Sequence, residues 1–531
     1  MNNKYKKINI SKEKTMLLLI ILFFCFSNII WIYYNKVPPM WDQSHYLYFS
    51  ELLYESLIKE NFVSFYISFL NSLGNKAPLM TVIPLPFYLI LGKSYKVALL
   101  TNLLFLIIGN IYLYKFAKFF TDGKGAISSI IVFNTFPLIF GLSREFLVDY
   151  GLTVFVIIWS YYIVKLNTFN DKRALILGFI GGAGILMKVT FPLFIIFPTI
   201  YLFIKNFNRT NLKSISINIL LVIFIIAILA APWYISNYKS LLNFITSASF
   251  GKYSKYYSSD NFHYYLNHIN YGISFYFFIL TILIIIILIL KRNTLKRKND
   301  SENTMPLYFL FIWLVIPLFT FSLINNKDIR LLTPVYPIFA IFLGKHIYEF
   351  FFNKFRLLYY ILILLSITNY IFISFCPIKF EKKLSNFVLI NNNLEYAHPP
   401  FNEIWPNKKI IDLIYNKVLK DKKNYALVTL LFDHPYLNGL TLNYLSKNMS
   451  KNLKFTTNDF FHNENINENI LNIRLYSNFV LTKSQKLGNE SLLKNTPTID
   501  MLNRPKIYFI QIYKLYLPDD SHVIIYKNVI N

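Results

Sequence analysis

Two aspartates, Asp42 and Asp149, stand within a few residues of long apolar runs, in company with His45, Tyr46, Lys76, Arg144, Glu145, Lys188, Lys327 and Arg330. A carboxylate held beside a hydroxyl removes its proton as the oxygen attacks. Lysine and arginine hold a phosphate and the charge that grows on it as it departs. The set therefore suits attack on a carbon bearing a phosphate leaving group, where a membrane helix meets water. Each residue also has a plainer reading. Asp42 precedes a helix containing Glu51 and Glu55 and serves as its N-cap. A lone lysine at a helix end snorkels to the headgroups.

Composition decides where these residues stand. The 531 residues are 55% hydrophobic and 18% aromatic, with a mean hydropathy of +0.42. Runs such as Met16–Tyr34 and Ile273–Leu290 suffice to cross a hydrocarbon core of roughly 30 Å. The chain reads as a polytopic α-helical membrane protein. A formal charge of +27 would suggest nucleic acid in a soluble chain, but here Lys and Arg concentrate in short loops between apolar runs. Cys25 and Cys376 have neither the spacing nor the placement of a metal site or disulfide. The first run is too long for a signal peptide and lacks a small-residue cleavage site, so it reads as a retained anchor with a cytoplasmic N-terminus.

Of the apolar runs, Leu79–Gly92 is short and carries Pro84 and Pro86, which suits an interfacial or re-entrant segment. About 11 spans remain, near 16–34, 96–117, 126–142, 149–166, 173–187, 190–205, 214–235, 271–290, 305–323, 331–349 and 357–376. The loops after the even-numbered spans carry Lys115/Lys118/Lys124, Lys165/Lys172/Arg173, Lys205/Arg209/Lys213, Lys291 to Lys298 and Lys345/Lys354/Arg356. All five clusters fall on the side of the N-terminus, which predicts an integral protein of the cytoplasmic membrane. Residues 1–376 then form a membrane domain with outward loops 35–95 and 236–270. Residues 377–531 form an extracytoplasmic domain. Strand-like text at Tyr425–Phe432, Asn478–Thr482, Lys506–Tyr513 and Val523–Tyr526, with a helix near Asn438–Lys447, predicts a small α/β fold there. Asn463–Asn472 reads as a loop or linker.

Outside the cytoplasm there is no pool of nucleotide sugars, so a transferase working there needs a donor delivered through the bilayer. A phosphate leaves without a general acid, so one base suffices and the anomeric centre inverts. The motifs agree with this chemistry. Trp41-Asp42-Gln43-Ser44-His45-Tyr46, Asn75-Lys76-Ala77-Pro78-Leu79, Ser143-Arg144-Glu145-Phe146-Leu147-Val148-Asp149 and Asn326-Lys327-Asp328-Ile329-Arg330-Leu331-Leu332-Thr333-Pro334-Val335-Tyr336-Pro337 follow one another in order. Across roughly residues 16–350 the chain resembles GT-C glycosyltransferases of the protein-mannosyltransferase and aminoarabinose-transferase type. Gln43 replaces the family's second acid, Ala77 one of its prolines and Leu331 its tyrosine.

The resemblance implies the GT-C fold and a polyprenyl-phosphate-linked sugar donor. The acceptor would be a surface glycan, a lipid or a protein. It assigns Asp42 and Asp149 to catalysis and Lys76, Arg330, Lys188 and Lys327 to the donor phosphate, with His45, Tyr46, Arg144 and Glu145 lining the substrate. No metal ligand is assigned. A divalent cation stays open because some members use one and others none, while His263 and His268 read as interfacial packing. The competing classes are a transporter or flippase of lipid-linked sugars and a ligase or polymerase of lipid-linked glycans. A transporter would show midplane charges and inverted repeats, and the sequence shows neither.

Overall fold

A computed structural model describes residues 2–165, 171–205, 212–250, 264–265, 268–269, 271–290, 305–324, 327–352, 354–384, 387–457, 466–488, 496–504 and 506–530. The chain forms two compact units. One comprises Met1–Tyr33 and Leu53–Pro400, the other Tyr34–Leu52 and Phe401–Asn531. The sequence reading drew its boundary at 376/377. The structure groups residues 377–400 with the helices and residues 34–52 with the C-terminal sheet.

In the first unit every one of the eleven apolar runs is helical. Among the described residues, five helices are long and apolar enough to cross a membrane: Lys12–Tyr34, Tyr95–Ala117, Ser214–Thr246, Ile329–Phe352 and Arg356–Phe375. Among the shorter apolar helices are Val148–Val164, Phe191–Lys205 and Phe275–Leu290. Leu18, Leu22 and Phe26 on one long helix, and Ile223, Phe224 and Ile228 on another, are exposed. Such apolar faces belong against lipid tails, and the protein is an integral membrane protein.

Local chemistry sets the breaks. Pro137 holds Phe136 in extended backbone and divides Gly123–Thr135 from Pro137–Leu142. Leu79–Gly92 becomes two short helices, Leu79–Val82 and Leu85–Leu91, either side of Pro84. The predicted loop 236–270 needs correction. The helix beginning at Leu212 runs on to Phe250, because nothing between Ser236 and Phe250 stops it. His263 and the basic stretch 291–304 lie outside the described residues. The helix Asp171–Met187 packs along Leu212–Phe250 through its glycines. A Cβ on Gly178 would stand 2.7 Å from Ile225, and one on Gly182 2.8 Å from Leu229. This close approach fixes the end of the helix, where Lys188 follows Met187.

The second unit holds a five-stranded sheet of order β4-β3-β5-β7-β6. Its strands are β3 (Ala426–Leu430), β4 (Leu453–Thr456), β5 (Phe479–Lys483), β6 (Phe509–Tyr516) and β7 (His522–Asn528). A separate antiparallel hairpin, β1 (Glu381–Leu384) with β2 (Phe387–Asn391), lies in the first unit. Strands β4, β3 and β5 are parallel, whereas β7 and β6 add on antiparallel. Helix Asn407–Lys420 buries Ile410, Ile411, Ile414 and Val418, and Val428, Leu430 and Leu481 join the same core. The predicted linker 463–472 is corrected as well. Residues 466–476 form a helix, because Ile470 and Ile473 pack against Val480 and Leu502 and outweigh the polar composition.

Segment 34–52 is built into this second unit. Val37 lies in the core beside Trp405 and Ile410. The Lys36 amide donates to the Phe401 carbonyl at 2.8 Å, and the Phe401 amide to Asn35 Oδ1 at 3.0 Å. Hydroxyls of Ser44 and Thr441 both donate to the Pro39 carbonyl, at 2.7 and 2.9 Å. Tyr444 donates to Glu51 Oε1 at 2.9 Å.

Beyond the end of β3, two buried neighbours carry opposite proton linkages. Burial raises Asp433 to about 6, partly offset by the Trp41 hydrogen bond. Burial, helped by Lys483, lowers His434 to about 4. The folded state thus binds extra protons at Asp433 between about pH 4 and 6, and its stability falls as pH rises there. At His434 it binds fewer protons between about pH 4 and 6.5, and stability rises with pH. Each linkage amounts to about 3 kcal/mol, so they nearly cancel in the intact protein. Asp433→Asn leaves the histidine alone, and its melting temperature should drop more steeply than that of the parent from pH 6.5 to 4. Parallel melting curves for the two proteins would refute this linkage.

Candidate active site

Asp149 lies in the first turn of Val148–Val164, where a carboxylate is favoured by the amide dipoles. It is buried and pairs with Lys188 at 2.6 Å. The same helix packs on the 3₁₀ helix Ile329–Val335, which carries Arg330. Asp328 caps that 3₁₀ helix by accepting from the Arg330 amide at 2.9 Å. The other Asp328 oxygen takes Arg330 Nε at 2.7 Å and lies 2.5 Å from Nη2. The guanidinium stands 5.3 Å from the Tyr396 ring centre, and the Asp149 charge reaches it electrostatically. Tyr396 donates to Glu395 Oε1 at 2.7 Å, and burial pushes the Glu395 carboxyl up. Gly141 admits this segment, because a Cβ there would run into the Tyr396 carbonyl.

The first unit therefore assembles two cations, each fixed by its own carboxylate, beside a tyrosine. The sequence reading names Asp149, Lys188 and Arg330 as site residues and does not name Asp328, Glu395 or Tyr396, which the structure places beside Arg330. Asp328 was visible two residues before Arg330 in the same motif. The run Glu395-Tyr396-Ala397-His398 follows the last span and had been read as part of the tail domain.

Four other predicted residues have their own surroundings. Arg144 is buried; Nε donates to Asn28 Oδ1 and Nη2 to Tyr370 Oη, both at 2.9 Å, with Trp31 and Phe140 stacked around it. It ties the first helix to the last. Arg144→Met should lower stability by about 1.5–3 kcal/mol, the cost of losing hydrogen bonds to a charged group, while donor KM stays unchanged. A raised KM with unchanged melting would return Arg144 to the substrate. Lys327 donates to the Phe321 and Ser322 carbonyls at 2.9 and 2.8 Å, closing the helix Met305–Leu323. Asn102 donates to the Glu145 carbonyl at 2.6 Å. Lys76 is half-buried in the turn between Phe62–Leu70 and Leu79–Val82.

Asp42 belongs to the helix Trp41–Lys59. It lies inside the first turn and does not cap the helix, since the Gln43 amide donates to the Met40 carbonyl at 2.8 Å. Tyr46 is buried, and His45 packs edge-on against Phe49 at 5.2 Å. Asp42, His45 and Tyr46 fall in the second unit, and Asp149, Lys188 and Arg330 in the first.

Residues 75–235, which include Lys76, Asp149 and Lys188, match the family model for dolichyl-phosphate-mannose-protein mannosyltransferase. Over that stretch, which is less than half of the chain, the sequence is similar to this family. The fold of the chain is similar to that of ArnT from Cupriavidus metallidurans bound to undecaprenyl phosphate, with 11% identity, a TM-score of 0.54, and 96% of this chain and 97% of that one covered. It is also similar to the oligosaccharyltransferase of Archaeoglobus fulgidus in complex with Zn and sulfate, at 11% identity and a TM-score of 0.54 over 97% of this chain and 73% of that one. The same oligosaccharyltransferase tethered to an acceptor peptide gives 10% identity and a TM-score of 0.55, over 96% and 74%. No curated protein sequence matches the chain significantly.

Among the described residues no three His, Cys, Asp or Glu side chains gather in a way that would hold a metal ion. Asp149 and Asp328 are instead occupied by Lys188 and Arg330. His268 stacks between Tyr264 and Tyr271, with its Nδ1 2.7 Å from the Tyr264 carbonyl. No step below runs through a metal.

Proposed function

We propose that the chain is an inverting transferase that moves a sugar from a polyprenyl-phosphate donor to an acceptor on the extracytoplasmic side of the cytoplasmic membrane. The observation that carries this reading is the pair of carboxylate-anchored cations, Lys188 on Asp149 at 2.6 Å and Arg330 on Asp328 at 2.5 Å. Cations fixed before the reaction stabilise a departing phosphate without having to reorganise. Lys76 joins them as a third donor-binding residue; His45, Tyr46 and Glu145 line the substrates. In the step itself the acceptor oxygen bonds to the anomeric carbon as the bond from that carbon to the phosphate oxygen breaks. The electron pair leaves with the phosphate, and the acceptor proton goes to the Asp42 carboxylate. The undecaprenyl phosphate in the ArnT structure supports this class of donor.

Placement of the acceptor outside is supported by topology. That 34–52 and 401–531 share one compact unit supports an even number of membrane crossings in the chain between them. The ten apolar helical runs between 96 and 376 satisfy that count, and the basic loops put the shared unit outside. Reporter fusions after Arg297 and Lys423 should report cytoplasm and exterior respectively, and a common compartment for both would refute the topology.

The reaction is tested with protein in nanodiscs and a polyprenyl-phosphate sugar of defined anomeric configuration. Free polyprenyl phosphate and a product of opposite configuration by NMR are expected. Retention of configuration, or movement of donor across the bilayer without transfer, would overturn the proposal. Mass spectrometry of surface glycans from a strain lacking the protein identifies the sugar.

A further inference from the structure

The crevice between β3 and β5, beyond their carboxyl ends, is where the strand order of the parallel sheet reverses, and open α/β sheets place ligands at such a point. Here Asp433 and His434 follow β3, Lys483 ends β5, and Asp519 joins Lys483 at 2.6 Å. Trp405 stacks on His434 at 4.5 Å. The Trp41 indole donates to Asp433 Oδ2 at 3.1 Å across 392 positions of sequence. Trp41 has a φ of +24°, a conformation that a bulky side chain holds only when its surroundings impose it. It is also the first residue of the helix that carries Asp42.

We propose that Asp433 is a positioning residue for Asp42, latching Trp41 so that the first turn of the Asp42 helix keeps its place on the C-terminal sheet. The proposal rests on the reading of Asp42 as the base. Other anchors hold Asn35, Lys36, Pro39, Ser44 and Glu51 of the segment. The indole–carboxylate bond acts at the turn itself. A buried carboxylate raised to about 6 is a costly way merely to satisfy an indole N–H, since a neutral acceptor would do so without desolvating a charge.

The test measures steady-state kinetics and hydrogen exchange of peptides covering 37–46 on the full-length protein. Trp41→Phe and Asp433→Ala should each lower kcat about tenfold, the rate equivalent of one hydrogen bond to a charged group, with donor KM within about twofold. The double variant should be no slower than the slower single one. Exchange in 37–46 should rise in both, while β3 and β5 stay protected. Asp433→Asn, which keeps an acceptor for the indole, should remain within about threefold of the parent; it serves as the second variant if the alanine protein does not accumulate. Additive losses, unchanged exchange, or an asparagine variant as slow as the alanine one would overturn the latch. If Asp42→Asn is fully active, the base reading fails by itself, and the exchange data alone then decide whether the latch exists.

Discussion

Asp42→Asn is expected to lower sugar transfer by about 10²–10⁴-fold, the usual loss on removing a general base, with donor binding and protein level preserved. Asparagine keeps the size of the side chain and its place in the first turn, so the helix Trp41–Lys59 should fold as before. Only the ability to accept the acceptor's proton is lost. Anchors of the segment lie at Asn35, Lys36, Pro39, Trp41 and Glu51. The change should therefore appear in kcat and kcat/KM alike, the mark of an interaction made only in the transition state. A purified Asp42→Asn protein that transfers at near-normal rate would leave this residue with only its favourable place against the helix dipole.

The second large effect is expected at Arg330. Arg330→Ala should lower kcat/KM for the lipid donor about 10- to 150-fold, corresponding to roughly 1.5–3 kcal/mol for charge-assisted hydrogen bonds. Asp328 holds one edge of the guanidinium and Tyr396 stands against it, so the fork is oriented before a donor arrives. The planar guanidinium is suited to phosphate. Arg330→Lys keeps the charge but not the fork, and should fall between parent and alanine. Asp328→Asn should also lose activity, because the orientation weakens while the charge remains. Parent-like kcat/KM in a well-folded Arg330→Ala protein would exclude a phosphate-holding role.

Much of this was legible in the sequence. Apolar runs of sufficient length marked the helices, since only helices and closed barrels satisfy the backbone in lipid. Ordered motifs marked Asp149, Lys188 and Arg330. Partnership was not legible, because it depends on tertiary neighbours. Nothing in the residue types states that Lys188 takes Asp149, or that Lys327 caps a neighbouring helix while Arg330, three residues on, does not. Arg144 stood in a motif beside Asp149, yet its hydrogen bonds go to Asn28 and Tyr370, far away in sequence. The helix over 466–476 was hidden because its asparagines and glutamates outweighed the spacing of Ile466, Ile470 and Ile473. The domain boundary was hidden more deeply, as composition cannot reveal that a segment near residue 40 completes a sheet domain begun after residue 400.

That interleaving governs how the molecule is made. A ribosome emits Tyr34–Leu52 early, and the strands that receive it, from Ala426 onward, come hundreds of residues later. Contacts of such long sequence separation form late, after loop closure has been paid for. During synthesis Asp42 therefore waits without its bed while helix after helix enters the bilayer. A chain interrupted before β3 would carry Asp42 without the strands that receive its segment.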